Sequence, residues 1–72
     1  MNMNDKIEFE SYVDKYAICE SKLMFFEKQR LFNTRYYKEN KEQVDKIIFD
    51  LNTESFDYLN KMDEICSRKE PV

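Results

Sequence analysis

Glycine, histidine and tryptophan are absent from the 72 residues, and the single proline, Pro71, sits beside the C-terminal residue. Without glycine nothing here settles readily at positive φ. That excludes a phosphate-cradling loop, a dinucleotide-binding turn and the tight hairpin turns an all-β domain needs repeatedly. Without histidine the chain lacks the usual general base near neutral pH and the commonest metal ligand. Two cysteines, Cys19 and Cys66, stand far apart with no CxxC pair, so no four-ligand zinc site is available. Both thiols are expected to be reduced and packed. Long apolar runs are missing too. The longest, Tyr16 to Cys19 and Leu23 to Phe26, have four residues each, far short of the roughly 20 that span a bilayer. Residues 1–10 carry three acidic groups against one lysine and no apolar block, unlike a secretory or organellar signal. These absences predict a soluble, cytoplasmic protein with no membrane partner, no metal and no cofactor.

What is present is an unusual load of large side chains. Apolar residues make up 42% and charged residues 38%, with six Phe and five Tyr, too apolar a mixture for a disordered chain. At this size one domain is the limit, and its core is marginal unless something else helps to bury it. Phe, Tyr, Met, Ile, Asn and Lys total 35 residues, whereas Gly, Ala, Arg and Pro total five. The first set is served by AT-rich codons and the second by GC-rich ones, a balance that suits a small reading frame of a phage or other mobile element.

The apolar spacing is helical nearly throughout. Asp5 followed by Glu8 reads as a capping box, and from there Phe9, Tyr12, Tyr16, Cys19, Leu23 and Phe26 recur at alternating steps of three and four, the seam of a coiled coil. The pattern lapses at Arg30 and Asn33. Asn40 with Gln43 gives a second capping signature, after which Val44, Ile48, Leu51, Ser55, Tyr58, Met62 and Ile65 restore the seam. The reading is an all-α single domain, an antiparallel helical hairpin. A first helix spans about 5–33, a turn about 34–40, a second helix about 41–68 and a tail 69–72. If the chain reverses near Tyr37, facing residues have numbers summing to about 74. The layers then become Phe9 with Ile65, Tyr12 with Met62, Tyr16 with Tyr58, Cys19 with Ser55, Leu23 with Leu51 and Phe26 with Ile48. One continuous helix paired with another copy is the competing topology, and a break at Asn52-Thr53 would give three helices.

The first helix carries a second apolar stripe: Ala17 and Ile18, Met24 and Phe25, Leu31 and Phe32. At 100° per residue it lies about 180° from the seam. The second helix has a weaker counterpart in Phe49 and Phe56. Soluble monomers seldom leave such a patch bare. Ile18, Met24, Phe25, Leu31, Phe32, Phe49 and Phe56 are therefore expected to bind another protein or a second copy of the chain, giving a homodimeric four-helix bundle, a regulator, an inhibitor or an assembly subunit.

Charge is uneven around the net −3. Residues 1–27 sum to −3, residues 28–41 to +4 and residues 42–72 to −4. The basic segment interleaves Lys28, Arg30, Arg35, Lys38 and Lys41 with Tyr36 and Tyr37, a combination that can contact nucleic-acid phosphates and stack on bases. A solvated turn has the same composition and is favoured here, because the rest of the chain repels an anionic partner. Asp50 with Glu54, Asp57 with Glu64 and Asp63 with Glu64 are candidates for a surface that imitates a nucleic-acid backbone, though any solvated helix face looks similar. No nucleophile has a base beside it in this pattern, and no catalytic function is expected.

Overall fold

A computed structural model describes residues 2–68, so the expected tail at 69–72 lies outside the described residues. The chain is all-helical: α1 spans Met3–Phe32, α2 spans Thr34–Glu39 and α3 spans Lys41–Cys66. The start of α1 precedes the expected one. Asn2 caps it, its Oδ1 accepting the Asp5 N–H at 2.8 Å, so Asp5 is a first-turn carboxylate favoured by the helix dipole and not the cap.

The expected turn at 34–40 is itself helical. Two asparagines interrupt the chain instead, and both keep negative φ, −116° at Asn33 and −127° at Asn40. Among the described residues no backbone has positive φ. This is how a chain without glycine reverses. Asn33 closes α1 through its N–H to the Gln29 carbonyl and opens α2 with its Oδ1 accepting from the Tyr36 N–H. Asn40 closes α2, with both its N–H and its Nδ2 donating to the Tyr36 carbonyl. The expected capping box at Asn40 does not form, because that side chain is already turned back onto α2. Asn33→Ala removes one cap and should lower stability by about 1 kcal/mol, read as a lower denaturation midpoint in urea. An unchanged midpoint would show that the break at 33 does not depend on its side chain.

Helices α1 and α3 pack side by side in opposite directions. Leu23 clusters with Val44 and Ile48, joined by Phe26, Tyr37 and Leu51. The Tyr12 and Tyr58 rings have centroids 6.2 Å apart, and Arg68 beyond α3 reaches Asp5 and Glu8 at 2.9 Å each. The molecule measures 58 × 15 × 13 Å, whereas one continuous helix of this length would approach 100 Å at ~1.5 Å per residue. No break occurs at Asn52-Thr53, where the Thr53 hydroxyl simply donates to the Phe49 carbonyl.

Every seam position is buried or half-buried, and the expected layers hold in part: Leu23 and Leu51, with Phe26 and Ile48, share one cluster, while other contacts are displaced. Tyr12 meets Tyr58 in place of Met62, Leu23 packs with Val44 and Ile48, and the Cys19 thiol donates to the Leu51 carbonyl at 3.2 Å. The Tyr12 and Cys19 contacts sit about one helical turn from the expected level. Antiparallel helices interdigitate, so a side chain falls between two partners rather than opposite one. Ser55 is buried, and its hydroxyl donates to Glu20, which satisfies both groups inside the seam.

The thiols differ. Cys19 is buried, and burial pushes its pKa up, the reverse of what an activated nucleophile needs. Cys66 is exposed, contrary to expectation, because the seam ends at Ile65 and the next residue turns 100° away from it. A thiol reagent should therefore label one cysteine of the native protein and two after unfolding. Two labels in the native state would mean that α1 and α3 do not hold together around Cys19.

Candidate interaction surface

The α1 stripe follows from the same periodicity that makes the seam. Residues buried against α3 occupy one side of the helix, and Ile18, Met24, Phe25, Leu31 and Phe32 fall on the other, all exposed. Phe32 is 82% exposed, the most of any large apolar residue described. The Phe25 ring stands edge-on to Phe26 at 5.3 Å between centroids. A ring anchored on the core side thus supports one on the outer side, and such pairs limit rotamer freedom before any partner arrives.

Met3 and Ile7 extend this face toward the N-terminus and are also exposed. The signal was present in the sequence, since both continue the outward line at helical spacing, but Glu10 and Asp14 interrupt it. Phe49 and Phe56 are exposed on α3. They lie roughly 140° from the α3 seam, so they face away from α1 and do not join its stripe.

Lys28, Arg30, Arg35, Tyr36, Lys38 and Lys41 are exposed at the turn end. Two of the aromatic and basic groups there are already engaged. The Tyr37 hydroxyl donates to Asp45 at 2.8 Å, which raises its pKa, and the Arg35 guanidinium pairs with Glu39 at 3.4 Å. Tyr37 is half-buried and belongs to the core that fixes α2 on α3, so it offers no stacking face. A shallow depression beside it, lined by Lys38 through Gln43, has no apolar wall of the kind that holds a small molecule. On α3, Glu54 accepts from the Tyr58 hydroxyl and pushes that phenol up to about 12.

Among the described residues no group of three or more Cys, Asp or Glu could hold a metal ion, and no helix is long and apolar enough to cross a membrane. The total exposed area is 5917 Å². Folded monomers of 8.9 kDa expose about 4,800 Å² by the usual surface-to-mass relation. Compared with models of known families, with curated proteins and with solved structures, the chain matches none.

Proposed function

We propose that this chain is a small non-catalytic protein–protein interaction module, an antiparallel helical hairpin that acts as a regulator, inhibitor or assembly subunit. The observation that supports it is the line of Ile18, Met24, Phe25, Leu31 and Phe32, bare along the side of α1 that α3 does not touch. Five apolar side chains of the described residues are buried, with the half-buried seam residues completing the inside, and five more stand bare on the outer stripe. Covering it releases water from surface worth about 25 cal/mol per Å², a large gain for so small a domain. Because the stripe lies opposite α3, a dimer formed through it has both α1 helices in the middle and both α3 helices outside.

The basic turn gives less support to a nucleic-acid reading. Its Tyr37 is committed to Asp45 and its Arg35 to Glu39, which leaves four dispersed cations.

Phe25→Glu and Phe32→Glu test the proposal. Each should preserve helical content while abolishing association, read as solution mass for self-assembly or as capture of a purified target. Association and capture both unchanged would overturn it.

A further inference from the structure

The occupant of the α1 face can be read from the order of its residues. Ser21 lies on the outward line, and the residues around it come in complementary pairs at equal distances: Ile18 and Met24 three away, Ala17 and Phe25 four away, Asp14 and Lys28 seven away. In a helix, equal and opposite steps turn through equal and opposite angles, so each pair straddles the line through Ser21 within about 60°. A twofold axis at Ser21, perpendicular to α1, sets each residue level with the other member of its pair on the second copy. Phe25 then lies on the same flank as Ile18 of the second copy, about one residue apart in level. Met24 shares its flank with Ala17 of the second copy, and Lys28 and Asp14, each about 20° from the central line, meet across it. Nearer the ends, Phe32 reaches the level of Ile7 and the stem of Glu10 in the second copy.

We infer that the α1 face binds a second copy of this chain, antiparallel, α1 against α1, about a twofold axis at Ser21. This rests on the proposed reading of that face as a binding surface and adds its occupant and register. Two further observations support it. Ser21 already donates its hydroxyl to the Ala17 carbonyl at 3.0 Å, so it can be buried at the axis with its donor used and no bulky group to hold the helices apart. The charge distribution selects the direction. Antiparallel docking lays the segment 28–41, at +4, toward the segment 1–27, at −3, whereas parallel docking stacks the two basic ends on each other.

Charge reversal in the full chain tests pairing and direction together. Asp14→Lys and Lys28→Glu should each weaken the dimer about tenfold or more, because the twofold repeats every substitution. The double variant, with the charges exchanged, should return to within about threefold of the parent. Both singles should keep the parent's helical content, since neither residue touches α3. Crosslinking gives the register. In a Cys66→Ser background, where only the buried Cys19 remains, Ser21→Cys should oxidise to a linked dimer. Lys28→Cys should not link to itself but should link to Asp14→Cys when the two are mixed.

A dimer in which Lys28→Cys links to itself overturns the inference in favour of parallel docking and leaves the binding face standing. A parent chain that stays monomeric at every concentration, while Phe25→Glu abolishes capture of a purified foreign target, overturns the second copy as occupant but not the face. Failure of the exchanged double variant to recover dimerisation overturns the Asp14–Lys28 pairing and with it the register.

Discussion

Val44→Asp should abolish the cooperative thermal transition and reduce the far-ultraviolet circular dichroism to that of a short, fraying helix. Val44 is 1% exposed, the most deeply buried side chain described, and it sits between Leu23 of α1 and Ile48 of α3 where the chain emerges from its turn. A carboxylate there replaces apolar contacts and has no cation within the cluster, at a cost of several kcal/mol. A two-helix core of this size holds only about 3–5 kcal/mol in total, so the substitution removes the folded state. Val44→Ala is the graded companion. It deletes two methyl groups, should cost about 2 kcal/mol, and should leave a transition at lower temperature. A Val44→Asp protein that melts like its parent would mean that the α1–α3 seam does not hold the molecule together.

Phe25→Glu combined with Phe32→Glu should do the opposite: keep the fold and remove the association. The two rings are 57% and 82% exposed, so an interface gains most of their surface. If each ring loses about 100 Å² of exposure on docking, the pair contributes about 5 kcal/mol per copy by area. Much of that is spent on ordering and lost mobility, and an increase in Kd of 100-fold or more is the expected residue. In a dimer this appears as a monomeric mass, with lower stability because folding and association are linked. With a foreign target the mass is unchanged and capture is lost. The contrast with the seam is one residue wide. Phe26→Glu, beside Phe25 but facing the core cluster, should unfold the chain. A seam variant and a stripe variant with the same phenotype would contradict the two-faced description of α1.

The two faces were legible because each is a local periodicity. Phe9, Tyr12, Tyr16, Cys19, Leu23 and Phe26, with Val44, Ile48, Leu51, Ser55, Tyr58, Met62 and Ile65, are all buried or half-buried, and the residues 180° away on α1 are all exposed. The turn was not legible. Thr34–Glu39 carries no seam, and its helix depends on Asn33, which closes α1 and opens α2, and on the Asn40 side chain, which closes α2. Composition alone assigned those asparagines to an irregular loop, as it does wherever Asn clusters. Cys66 was misread because a cysteine is usually buried. Tyr37 was read as a stacking group because its partner, Asp45, lies eight residues on and in another helix.

The sequence by itself determined the helical class, the two seams, the opposed stripe and the division of charge, since each depends on residues within a few turns of one another. Only the tertiary structure decided the register and the fate of the polar groups. The Cys19 thiol lies on the Leu51 carbonyl, Ser55 on Glu20, and Arg68 on Asp5 and Glu8. Each joins residues more than thirty positions apart. How far α2 carries the chain before α3 begins sets which of them meet, and no spacing within either helix records that distance.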